Sequence, residues 1–252
     1  VRDAQPEELR AGRHTAAQAR TIAADVVVRP RDTAAERSAA LALAEVAAAL
    51  ASRVEITAAG AVFLDAAGAT HLVESEAGLA TALVARAARV GLAARAGVGA
   101  SMTVARLAAL HAADGIEVVP AGTECGFLAP LPLACLAPDV TIAATLARWG
   151  VHHLGDLARL PSAEVATRLG PAGAALVHAA RGGDARPLAP QPLPGAVEEG
   201  LGLEHALDTL EPLLFVLRGL LERVLARVGL AGVGCARLGL ALGLDDRSRD
   251  AR

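Results

Sequence analysis

Three stretches of this 252-residue chain carry residue types whose spacing could do chemistry. The first is Leu169-Gly170-Pro171-Ala172-Gly173, set between two stretches of helical pattern. A glycine turn there leaves backbone N–H groups free at the start of the second helix. With the positive end of the helix dipole, those groups suit a phosphate. Arg168 and Arg181 lie close by in sequence. A helix-hairpin-helix module works this way, gripping nucleic-acid backbone without reading bases. The same residues fit a plain helix-loop-helix that uses glycine only to turn, and the sequence leaves both readings open. If Gly173 holds a positive φ, a β-branched side chain there should disturb the turn.

The second stretch is Gly97-Val98-Gly99-Ala100-Ser101, ahead of a helical pattern. It has the look of a phosphate loop but lacks the lysine of a nucleotide-binding loop, and Met102 stands where a third glycine would be needed. Strand-to-helix turns use such residues routinely. The third is an absence. Two-metal nucleotidyl transfer needs carboxylates clustered on adjacent strands. A predicted hairpin at Val54–Leu64 brings only Glu55 and Asp65, neither with a neighbouring carboxylate, so a structural or solvated role is expected for each. No Ser-His-Asp arrangement has local support, and there is no HExxH. The paired His152-His153 and the widely spaced Cys125, Cys135 and Cys235 match no metal-site or disulfide pattern.

The elements that must position these residues follow from pattern. Residues 7–24 read as a short helical region and 25–30 as a β-type run ended by Pro30. Thr33–Ser52 is an alanine-rich helix, capped by Asp32 or Thr33. Val54–Ile56 and Val62–Leu64 form a hairpin in which Gly60 supplies the turn. Ser75–Val90 is a helix with Leu79, Leu83, Ala87 and Val90 on one face. A strand over 94–98, a helix capped by Ser101 and running to Ala113, and a strand over 116–119 complete an alternating α/β pattern. Residues 120–138, with four prolines, are expected to be irregular. Helices follow over 141–149, 154–160, 162–169 and 172–181. Residues 182–195 hold four prolines and three glycines and read as a linker. Beyond it a strand (197–203), a helix (211–228) and a strand (235–244) precede a charged tail. A lone strand-helix-strand unit leaves edges and an apolar face uncovered, so 187–252 is expected to be the least protected part against hydrogen exchange.

Composition narrows the function classes. The chain is 54% hydrophobic with mean hydropathy +0.43, enough for a buried core, although much of that content is alanine. Every one of its 24 cationic residues is Arg. A net charge of −3 argues against a generally basic nucleic-acid binder, so any DNA contact must be local or helped by a partner. No signal peptide is evident, and no uncharged apolar run approaches the ~20 residues of a membrane span. A cytoplasmic protein is expected.

Read in order, these segments resemble the Y-family (UmuC/DinB-like) DNA polymerases, and most the ImuB-type, catalytically defective branch. Residues 9–32, with Val26-Val27-Val28-Arg29-Pro30-Arg31-Asp32, resemble the end of the fingers and the return to the palm. Ala58-Ala59-Gly60-Ala61-Val62-Phe63-Leu64-Asp65 resembles the palm hairpin, which reads about S-I-D-E-A-Y-L-D in active members. Phe63-Leu64-Asp65 matches, but Gly60 and Ala61 stand where the family has its catalytic Asp-Glu pair. Residues 96–120 resemble the next strand, helix and strand. Active members carry lysines in that helix near the incoming triphosphate, and here Arg106 is the one basic residue, a candidate phosphate contact. Trp149-Gly150-Val151-His152-His153-Leu154-Gly155-Asp156-Leu157 resembles the thumb signature L-G-I-x-T-x-G-D-L. Ala137-Pro138-Asp139-Val140 replaces the family's earlier P-G-I-G hairpin. Residues 210–215 and their helix resemble the start of the little finger.

The resemblance implies an α/β fold with an incomplete ferredoxin-like palm. It divides the chain into a fingers remnant (1–32), a palm lacking its first strand (33–135), a small helical, helix-hairpin-helix-like thumb (136–182), a linker (183–195) and the first part of a little finger (196–252). It implies a DNA-repair accessory protein, not a working polymerase, with no catalytic residue of its own and no cofactor. Implied DNA contacts are Arg168, Gly170, Ala172, Gly173 and Arg181. Implied partners are damaged or primed DNA, an error-prone replicative-type DNA polymerase, the sliding clamp (whose binding peptide is not visible in this chain) and a RecA-like mutasome partner. The rival is an active translesion polymerase using two Mg²⁺ ions, with its first catalytic segment outside this chain. A third class is a bare DNA-binding module without polymerase ancestry.

Overall fold

The computed structural model describes residues 33–57, 60–69, 75–184, 186–193, 195–203, 205–230, 235–244 and 248–251, with a few isolated positions besides. The expected helix over 7–24, the β-type run over 25–30 and an Asp32 cap lie outside the described residues. Within them the α/β expectation holds: small sheets alternate with helices.

Helix α1 (Thr33–Ala48) leads into β1 (Val54–Ile56) and β2 (Val62–Leu64). These strands pair antiparallel, with Val54 opposite Leu64, Glu55 opposite Phe63 and Ile56 opposite Val62. Gly60, at φ 71°, takes the left-handed conformation that the turn requires. Helix α2 (Glu76–Arg89) starts where the Ser75 hydroxyl accepts the Gly78 amide at 3.0 Å, and it buries Leu79, Ala80 and Ala87. Strand β3 (Ala96–Val98), helix α3 (Met102–His111) and strand β4 (Ile116–Val118) form a parallel β-α-β unit. Both α2 and α3 pack against its two strands.

The glycines of 97–101 have a packing role. A Cβ on Gly97 would collide with the Ala105 carbonyl and the Ala109 amide, and one on Gly99 would press on Val104. Helix α3 lies directly on its strand because these side chains are missing.

Residues 120–138 are more regular than their prolines suggest. A short helix α4 (Glu124–Leu128) and a 3₁₀ turn (Leu133–Leu136) fit between prolines that are barred from sheets but not from helix starts and turns. Helices α5 (Val140–Arg148), α6 (Leu154–Arg159) and α7 (Ser162–Ala180) follow. Helix α7 is two helices joined at Gly170, whose φ of 71° and ψ of −169° break the spiral. One core joins α3 to this helical segment through buried Val104, Leu107, Leu128, Leu146, Leu154, Leu157, Val165 and Val177. Smaller clusters sit under β1 and β2, around Ala44, Ala47 and Val54, and under α2, around Leu50 and Leu79.

Two expectations at the C-terminal end need correction. Residues 197–203 form no regular strand. Gly200 and Gly202 weaken it, and the Glu198 carbonyl accepts a side-chain hydrogen bond from Arg227. The tail is not merely charged: β5 (Ala241–Gly243) pairs antiparallel with β6 (Arg249–Ala251). Helix α8 (Leu210–Leu230) leaves Leu214 and Phe215 exposed, as an uncovered apolar face would. Its C-terminal half, however, is anchored. Arg227, 2% exposed, donates to both oxygens of Glu45 on α1 at 2.7 Å and to Glu199 at 2.6 Å. Among the described residues, no helix is long and apolar enough to cross a membrane.

A buried charge stripped of its partner is costly. Arg227→Ala is therefore expected to destabilise the chain by about 3–5 kcal/mol in urea titration. It should also speed amide exchange across 210–230. Unchanged exchange there would show that α8 is held by something else.

Candidate nucleic-acid interface

The two glycines of the Leu169–Gly173 stretch divide their labour differently from the sequence expectation. Gly170 makes the turn, since its φ is positive, and Pro171 begins the next helical segment, a position that needs no N–H. Gly173 is helical and buried. A Cβ on it would lie 2.5 Å from the Leu169 Cβ and 3.1 Å from a Val165 methyl. Its conformation would tolerate a side chain, but the close approach of the two halves of α7 would not. Ala172 is exposed at the start of the second half.

The candidate arginines are placed unequally. Arg168 is exposed, with its guanidinium carbon 5.8 Å from the centroid of the Trp149 ring. Arg181 donates from Nε to the Ala158 carbonyl at 2.9 Å and from a terminal nitrogen to Leu160 at 2.8 Å, closing the end of α6 onto α7. Arg106 is half-buried and donates to the Cys135 carbonyl at 3.0 Å. Arg168 is thus the guanidinium that the structure leaves facing outward near the hairpin, and Trp149 is a neighbour the sequence reading missed.

The hairpin of β1 and β2 carries a different chemistry. Gly60 and Ala61 offer no metal ligand. Asp65 lies 2.9 Å from Arg53 and also caps the turn that follows, accepting the Ala67 amide at 3.0 Å. Glu55 is 3% exposed, between Val54 and Ile56. It meets Arg186 in a two-pronged ion pair, one arm at 2.9 Å, and accepts the Ala189 amide at 2.7 Å. The Arg186 hydrogen bond, with the Ala189 amide second, outweighs desolvation and holds the Glu55 carboxyl down to about 2.

Arg186 comes from the segment read as a linker, which is fastened at several points. Asp184 accepts the amides of Met102 and Thr103 at 2.6 and 2.8 Å. The Gln191 amide donates to the Val54 carbonyl, and Leu193 packs into the cluster beneath the hairpin. Asp184 thereby fills, from within the chain, the anion position that the Gly97–Ser101 turn offers at the start of α3. A divalent metal does not fit here: the buried carboxylate is already neutralised by a guanidinium, Phe63 stands opposite it, and the turn carries Gly60 and Ala61. Among the described residues, no three His, Cys, Asp or Glu side chains converge.

A carboxyl with a depressed folded-state value stabilises the fold above its ordinary value near 4.5, and that contribution is lost as pH falls toward about 2. Carboxyl-detected NMR titration should place the Glu55 midpoint near 2. Glu55→Gln should lower stability at neutral pH and flatten its pH dependence between about 4.5 and 2. A midpoint near 4.5 would mean that Arg186 does not hold this group in solution.

Comparison with known proteins adds ancestry to this geometry. Residues 7–110 match the impB/mucB/samB family. The chain is similar to Protein ImuB of Caulobacter vibrioides, 34% identical over 155 residues, which are 62% of this chain and 34% of that protein. It is also similar to DNA polymerase IV 1 of Mesorhizobium japonicum, 28% identical over 188 residues (73% of this chain, 43% of that one). DNA polymerase IV of Moorella thermoacetica is 33% identical over 147 residues (57% and 37%). The chain spans less than half the length of these curated relatives. A matching family segment over residues 7–110 and relatives that include both ImuB and DNA polymerase IV support a Y-family (UmuC/DinB-like) DNA polymerase homologue, ImuB-like in character.

Proposed function

We propose that this chain belongs to a DNA-damage-tolerance accessory protein that holds DNA and scaffolds an error-prone polymerase without catalysing nucleotide addition. The observation that carries the reading is the hairpin. Gly60 and Ala61 replace the metal-binding pair, and Arg186 occupies the hairpin's buried carboxylate, Glu55. Two-metal phosphoryl transfer needs ions ~3.5–4 Å apart between carboxylates, and this hairpin offers no such pair. The similarity to ImuB supports the accessory role.

In this reading residues 33–135 act as the palm, 136–182 as the thumb and 196–252 as the first part of the little finger. Arg168, Gly170, Ala172 and Gly173 form the DNA-facing hairpin, and Arg181 and Arg106 hold the surrounding backbone in place. DNA, primed or damaged, is the ligand. An error-prone replicative-type polymerase, the sliding clamp and a RecA-like protein are the partners, and no cofactor is required. The similarity to proteins named DNA polymerase IV favours one alternative, an active polymerase completed by a segment outside this chain.

Binding and catalysis separate these readings. Purified chain should bind primed DNA weakly, with a shallow salt dependence, because few phosphates are neutralised. Arg168→Glu should weaken that binding about equally for all sequences. Neither Mg²⁺ nor Mn²⁺ should support primer extension. Template-dependent extension by preparations free of contaminating polymerase would sink the accessory reading.

A further inference from the structure

Aromatic residues are scarce in this chain, which has one Trp, three Phe and no Tyr. The single indole would be the largest apolar group available to the core, yet Trp149 is 38% exposed. It ends α5, in the turn closed by Gly150 at φ 75°, where the family signature noted above has leucine. Arg168 reaches it from the first half of α7.

The charge around it is unusual for the molecule. Residues 136–182 hold four Arg against three carboxylates, whereas residues 33–135 hold six against nine. Within the first group, Arg159 pairs with Asp156 and Arg181 is tied to carbonyls. Arg148 and Arg168 meet no carboxylate among the described residues; Arg148 contacts only the Thr145 hydroxyl, and Arg168 the indole. A partly exposed indole with the Arg168 guanidinium over its ring, and with Arg148 next to it in the chain, suits a ligand that is both aromatic and anionic. A nucleotide has that combination.

We propose that Trp149, held in place by Arg168, is a stacking platform for an unpaired base of DNA, with Arg148 and Arg168 facing its phosphates. Base–aromatic stacking is sequence-tolerant, and such a platform favours single-stranded DNA and overhangs over blunt duplex. The proposal rests on the DNA-binding reading above and adds the strand form that it prefers. Backbone capture by the Gly170 hairpin does not require it.

The lone Trp makes the test direct. The full chain is titrated with labelled oligo-dT and with labelled blunt duplex, following DNA anisotropy and tryptophan emission together. Oligo-dT should quench the emission in step with the anisotropy rise. Trp149→Leu should weaken oligo-dT binding about tenfold, Trp149→Phe much less, and blunt-duplex affinity should not change in either. Wild-type anisotropy that rises with unaltered emission would overturn the platform while leaving the DNA-binding reading intact. So would a folded Trp149→Leu that binds oligo-dT like wild type. No anisotropy change with any DNA would overturn both.

Discussion

A carboxylate buried in a β-strand must find a positive partner, or it will not stay ionised. Glu55 occupies such a place, the middle residue of a three-residue strand, and its partner lies 131 residues further along the chain. That pairing dictates where the Pro-rich segment after the helical region runs. With Arg186 fixed on Glu55, the Ala189 amide reaches the same carboxylate, Gln191 meets the Val54 carbonyl, and Leu193 completes the apolar cluster under the hairpin. Asp184, two residues upstream, falls on the first amides of α3. A stretch rich in proline, which cannot join a sheet interior, is thus used as a strap: its few side chains and amides supply what the α/β segment leaves unsatisfied.

The same contacts limit what the hairpin can do chemically. A divalent ion would have to displace a guanidinium that is hydrogen-bonded in two places, and no second carboxylate stands ready across the turn. The Glu55 carboxylate is therefore engaged in a structural ion pair. In the helical segment, Arg168, which meets no carboxylate among the described residues, lies over the indole of Trp149. Arg227 repeats the strap's logic at larger scale. It joins α8 to Glu45, 182 residues away, and the C-terminal region is docked at that point even though much of its apolar face stays open.

Local features were legible in the sequence. The hairpin limits at Val54–Ile56 and Val62–Leu64, the Ser101 cap and the Gly170 break all follow from rules that act over a few residues. What escaped was long-range. Nothing near Glu55 points to Arg186, and nothing near Arg227 points to Glu45, although a carboxylate alternating into the buried face of a strand does signal that a cation must come from somewhere. Gly173 illustrates a second limit. Glycine serves a turn or a close approach equally well, and only the neighbouring Leu169 and Val165 show that it serves the latter. The strand expected at 197–203 failed because its Glu198 carbonyl is taken up by Arg227.

This hairpin is expected to hold no divalent metal, because an internal arginine already neutralises its buried carboxylate. Electron paramagnetic resonance of Mn²⁺ titrated into the purified chain tests it without requiring DNA or catalysis. The account predicts that the free-ion signal rises in proportion to added metal, with Glu55→Gln behaving as wild type. Stoichiometric loss of the free signal in wild type, abolished by Glu55→Gln, would contradict it.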